Sequence, residues 1–159
     1  MKILFSILFL IFNNAWAGDT EEGDAALIKR DYALALQKYQ NAAATNNAYA
    51  QYRIGTLYNS GLGVEKNYSE ALRWYKLAAA QGNADAQESL GVMYLKGQGI
   101  SQNYVKAHMW FNLASLKWTV GSNSRGYRDI VSSNMSTEQV LDAQKFAKEC
   151  VARNFKNCD

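Results

Sequence analysis

The stretch from Ala50 to Asp85 lies over the stretch from Ala86 onward without a gap, and the residues that coincide are those a pair of packed helices needs. Gly55 falls on Gly91, Tyr58 on Tyr94, Gly61 and Gly63 on Gly97 and Gly99, Asn67 and Tyr68 on Asn103 and Tyr104. Ala71, Trp74 and Ala78 likewise fall on Ala107, Trp110 and Ala114, so the period is 36 residues. Self-similarity at a period between about 20 and 50 residues marks a solenoid, whose stacked units offer a long surface to a partner. The expected role is therefore a binding scaffold.

The second helix of each unit carries the clearest helical stripe. Tyr68, Ala71, Leu72, Tyr75, Ala78 and Ala79 share one face, and Tyr104, Ala107, His108, Phe111, Ala114 and Ser115 repeat it. Tyr32, Ala35, Leu36, Tyr39, Ala42 and Ala43 give the same pattern one period earlier, behind a shortened first helix. The first helices carry Ala50, Ile54, Leu57 and Tyr58, matched by Ala86, Leu90, Met93 and Tyr94. Gly55 and Gly91 lie inside these helices at a cost of about 1 kcal/mol against alanine, which points to close approach of a neighbouring backbone. Gly82 and Asn46 suit helix stops, and Asn67 with Glu70 resembles a capping box.

Past Lys117 the repeat degrades. Helices are expected over about 119–133 and 137–154, the latter capped by Ser136 with Gln139 as its return partner and presenting Val140, Ala143, Phe146, Ala147 and Val151. An irregular last pair suits a capping unit whose outer face meets water. The count is eight helices, stacked so that small units share one apolar spine.

At the other end, Lys2 precedes an apolar run, Ile3 to Phe12 broken only by Ser6, and Ala15-Trp16-Ala17 follows. This reads as a cleaved export signal over residues 1–17 with Gly18 the first mature residue; the run is shorter than the roughly 20 apolar residues a membrane span takes. Residues 18–159 then form a single α-solenoid domain, divided into an N-terminal partial repeat (18–49), two repeats (50–85 and 86–118) and a C-terminal capping pair (119–159). The chain has no proline, which leans it toward an all-α fold. A net charge of +3 with no run of basic residues gives no case for nucleic acid, and no stable membrane insertion is expected once the signal is removed.

Cys150 and Cys158 are the only cysteines, and an even count in an exported chain suggests a disulfide. On one continuous helix they would stand about 12 Å apart, too far to bond, so the helix must stop near Arg153 or Asn154 and the tail fold back.

The pattern Ala-Gln-x-x-Ile/Leu-Gly-x-x-Tyr-x-x-Gly-x-Gly-Val/Ile, then Asn-Tyr, Ala, Trp-Tyr/Phe and Leu-Ala, spans Ala50 to Ala78 and again Ala86 to Ala114. It resembles the Sel-one-like repeat, a longer relative of the tetratricopeptide repeat. The tail, with Arg128-Asp129, Met135-Ser136-Thr137-Glu138-Gln139 and Ala143-Gln144, is similar to the ending of short exported bacterial members. His108 replaces a usual small or apolar residue, and Trp118 a helix-stopping glycine. The resemblance implies a right-handed α-solenoid of about four antiparallel helix pairs. It also implies an exported adaptor, periplasmic or secreted, that binds a protein or peptide and uses no cofactor. In the tetratricopeptide register the concave wall comes from the first helices. Aligned on Gly55 and Gly91, the partner-facing positions are Tyr49, Tyr52, Thr56 and Asn59, then Asp85, Glu88, Val92, Leu95 and Lys96. Trp74 and Trp110, just off the stripe, are expected to cover the seam between units.

Little here speaks for catalysis. Gly61-x-Gly63 and Gly97-x-Gly99 follow helices and lack the third glycine and the preceding strand of a dinucleotide loop. His108, the only histidine, has no two acidic residues at ligand spacing and reads as a partly buried structural residue. Some cysteine-rich relatives of the repeat handle β-lactams, which makes a cell-wall or β-lactam hydrolase the rival reading. Yet the chain has no Ser-x-x-Lys, and Ser122 to Gly126 misses Gly-x-Ser-x-Gly by one residue.

Overall fold

A computed structural model describes residues 18–117 and 123–158. The stretch read as an export signal and the junction 118–122, including Trp118, lie outside the described residues.

Eight helices and no strand are present among the described residues: α1 (18–28), α2 (Tyr32–Ala43), α3 (Ala48–Ser60), α4 (Tyr68–Ala79), α5 (Ala84–Lys96), α6 (Tyr104–Ala114), α7 (Ser124–Ser132) and α8 (Thr137–Ala152). Helix starts are written in the sequence. The side chains of Asn47, Asn67, Asn83 and Asn103 accept from the backbone N–H three residues on, at Ala50, Glu70, Ala86 and Lys106, each occupying an orphan donor of the first turn. Ser136 and Gln139 form the full reciprocal box. At Asn67 only half of the expected box exists, because the Glu70 carboxylate turns to Arg73 at 2.9 Å instead. Asn46 and Gly82 take left-handed backbone at φ 64° and 75°.

The two helices of a unit meet through a ring laid on a glycine. A Cβ on Gly55 would stand 2.7 Å from Tyr75 Cδ1, and one on Gly91 would stand 2.5 Å from Phe111 Cε1. The close neighbour is thus chiefly an aromatic side chain of the second helix, not the backbone expected from the sequence. Gly23 repeats the contact with Tyr39 Cε1 at 2.7 Å. The connection between α1 and α2 is four residues shorter than that between α3 and α4, which shifts Gly23 out of the 36-residue register. Between units, the connection of one rests on the opening turn of the previous second helix. Gly63 (φ 73°) would place a Cβ 2.6 Å from Tyr32 Cβ, and Gly99 (φ 68°) one 2.8 Å from the Tyr68 carbonyl carbon. Only glycine combines that backbone with that proximity.

The apolar interior is in two parts instead of one spine. One gathers Ala26, Ala35, Tyr39, Ala50, Ile54 and Leu57; the other runs from Ala71 and Tyr75 through Leu90, Met93, Trp110 and Phe111 to Val131, Ala143 and Cys150. Half-buried Tyr58 packs against both. Along α8 the buried residues are Ala143, Ala147 and Cys150, while Phe146 and Val151, expected on the buried stripe, are 43% and 40% exposed. Helix α8 packs chiefly on α6, so a narrow small-residue stripe suffices.

Cys150 and Cys158 are bonded, with Cα atoms 5.2 Å apart. Helix α8 ends at Ala152, and Asn154, Phe155 and Asn157 adopt positive φ, turning the tail back. Phe155 then reaches the preceding unit, where a Cβ on Gly82 would stand 3.1 Å from its ring.

Candidate protein-binding surface

On the wall formed by the first helices, Tyr52 of α3 is half-buried, with its ring centroid 6.0 Å from that of Tyr75 on α4. One turn on, Thr56 donates to the Tyr52 carbonyl at 3.1 Å and receives the Tyr75 hydroxyl at 3.5 Å. Burial pushes the Tyr52 phenol above its ordinary pKa, a hydrogen bond with Thr56 counters this, and the carboxylates of Asp85 and Glu88 add to the rise. Beside this group a depression of about 130 Å³ is lined by Asn59, Tyr75, Glu88, Ser89, Val92, Met93, Gln98 and Tyr127. Glu88 is fixed from the last pair, accepting from the Asn123 N–H at 3.1 Å and from the Ser124 hydroxyl.

Six of the nine positions singled out from sequence therefore stand near one another: Tyr52, Thr56, Asn59, Asp85, Glu88 and Val92. Tyr49 belongs to a different group. Its hydroxyl donates to Asp24 at 2.8 Å, Tyr39 donates to the same carboxylate at 2.5 Å, and the Arg53 guanidinium reaches Asp24 at 3.1 Å. Arg53 also lies over both rings, 5.7 and 5.5 Å from their centroids, so this group ties α1 to α2 and α3. Burial first, then the bond to Asp24, pushes the Tyr49 phenol up to about 12. Leu95 packs against the core and its carbonyl accepts from Gln102 at 2.7 Å, while Lys96 is exposed at the end of α5.

Sequence reasoning missed Asp24, Arg53, Tyr75, Ser89, Gln98 and Tyr127. Tyr127 carried a signal: it stands 36 residues beyond Gly91, at the glycine position of a third unit, and stacks on Phe111 with centroids 5.3 Å apart.

His108 is buried outright, 2% exposed, with Nδ1 3.1 Å from the Asn112 amide. Burial, assisted by Arg128, holds its pKa below the ordinary value. Trp110 is 3% exposed and Trp74 half-buried under Arg73, whose guanidinium lies 4.5 Å from its ring. Among the described residues no three His, Cys, Asp or Glu side chains gather as a metal site, and no helix is long and apolar enough to cross a membrane. A second groove, about 470 Å³, runs between α6 and α8 beside Leu116, Arg128, Lys148 and Val151.

Paired helices stacked through glycine contacts, with polar and aromatic side chains on one wall, define a helical-repeat scaffold. Residues 48–83 and 84–117 are Sel1 repeats, and the fold is that of the Sel1-like repeat solenoids. One similar structure is c5321, a protective antigen present in uropathogenic Escherichia coli strains and displaying an SLR fold. It is 25% identical with a TM-score of 0.81, over 90% of this chain and 31% of that one. Another is a Sel1 repeat protein from Oxalobacter formigenes, 42% identical with a TM-score of 0.58, over 62% of this chain and 39% of that one. The chain thus spans well under half the length of these neighbours. No curated protein sequence matches it. Sel1 repeat proteins generally act as protein-interaction scaffolds.

Proposed function

We propose that the chain is an exported, non-enzymatic adaptor at the bacterial envelope that holds a protein or peptide on its wall of first helices. The observation that carries this reading is the convergence of α3, α5 and α7 on one depression, where Asn59, Glu88, Val92 and Tyr127 meet. Half-buried aromatic side chains beside fixed polar groups are the usual makings of a binding hot spot. Export is supported by the Cys150–Cys158 bond, which suits a non-reducing compartment, and by the apolar run Ile3 to Phe12.

The test places a photo-crosslinking residue at Asn59 and, as a control, at Lys145 on α8, in cells of the native host. Partner adducts at Asn59 and none at Lys145 are expected; the reverse would move the binding surface elsewhere. Tyr52→Ala is a poor probe, because the ring packs against Tyr75 and its loss would cost folding. Asn59→Trp, which fills the depression, is the better one.

A further inference from the structure

The described lining of the depression is one-sided in charge, and this inference rests on the reading of the wall of first helices as the partner-binding surface. None of the eight described residues lining the depression is a lysine or arginine, while Glu88 supplies a carboxylate. Asp85 stands three residues before Glu88 on α5, hence on the same face. Both carboxylates act on the Tyr52 hydroxyl, with Arg53 acting in the opposite sense. The cations on α3 and α5 are committed or distant. The Arg53 guanidinium is held by Asp24 at 3.1 Å and bonds the Tyr39 hydroxyl at 3.2 Å, and Lys96 sits three turns beyond Asp85 at the exposed end of α5.

The other polar residues of the lining, Asn59, Tyr75, Ser89 and Gln98, are uncharged. Val92 and the aromatic rings of Tyr75 and Tyr127 supply apolar wall. At about 130 Å³ the depression is far below the roughly 300–1,000 Å³ of clefts that take whole small molecules, and suits a single long side chain.

We propose that this depression receives one lysine or arginine side chain of the bound peptide. Its methylene stem lies along Val92 and the tyrosine rings, and its charged head faces Glu88 and Asp85. A long basic side chain buries its stem while its head keeps polar company, and tyrosine faces attract cations. The same carboxylates repel an acidic residue offered at that place, which adds discrimination.

The experiment selects a random-peptide display library on the purified protein, on Asp85→Asn/Glu88→Gln and on Asn59→Trp, with circular dichroism confirming the helical fold of each. The expected result is enrichment of Lys or Arg at one fixed position. Affinity for a selected peptide should fall about tenfold or more when that residue becomes norleucine, and similarly in the double variant. If the double variant fails to fold, the norleucine peptide alone decides. Enriched peptides that lack a basic residue, yet are blocked by Asn59→Trp, overturn the inference and leave the binding wall standing. No enrichment, or enrichment indifferent to Asn59→Trp, overturns the wall itself.

Discussion

Gly91 lies flat beneath Phe111, so near that a methyl on its Cα would stand 2.5 Å from the ring. Phe111 is fully buried and cannot swing clear. Gly91→Ala gains about 1 kcal/mol of helix propensity, but overpacking a closed core costs about 1–3 kcal/mol and occasionally more. A net loss is expected, read as a lower urea midpoint. An unchanged or raised midpoint would mean that α5 and α6 separate without cost.

The group around Asp24 has an alkaline signature. Tyr49 titrates near 10 when unfolded and at about 12 when folded, so between these values the unfolded chain has lost a proton that the folded chain retains. Its contribution is complete below pH 10 and declines as pH rises toward 12. Urea midpoints should therefore fall across that window, and less steeply for Tyr49→Phe. Parallel curves for the two proteins would show that neither burial nor Asp24 holds the Tyr49 proton.

Cleaving the Cys150–Cys158 bond frees a short loop, worth about 2.5 kcal/mol in the chain-entropy model. Cys158→Ser is the cleaner variant, since Cys150 is fully buried and Cys158 is not. Its thermal midpoint should drop, and hydrogen exchange should quicken first in the final turn of α8. A midpoint equal to that of the wild type would mean that the tail holds its place through Phe155 alone.

What was readable in the sequence is what repeats. The helix start at Asn67, the stripes of α4 and α6, and the glycines in α3 and α5 were read from one period, and the caps at Asn47, Asn83 and Asn103, which keep the same period, came with the structure. A glycine inside a helix announces a close neighbour without naming it, so the rings of Tyr75 and Phe111 emerged only in three dimensions. Gly23 was hidden by a connection four residues shorter. Phe146 and Val151 kept helical spacing yet stayed exposed, because periodicity tells which residues share a face and not whether anything covers it. The candidate site divides in the same way. Thr56, Asn59, Glu88 and Val92 were singled out by the register on Gly55 and Gly91 and stand together in space, whereas Tyr127, from the irregular last pair, was not singled out.

The seating of Gly63 on Tyr32, and of Gly99 on Tyr68, is a contact of main chain against the neighbouring turn. The step from unit to unit is thereby set in part by main chain, which carries no rotamers. A guest would then meet a rigid template whose curvature is settled before contact, and little of the affinity would be spent on ordering the host.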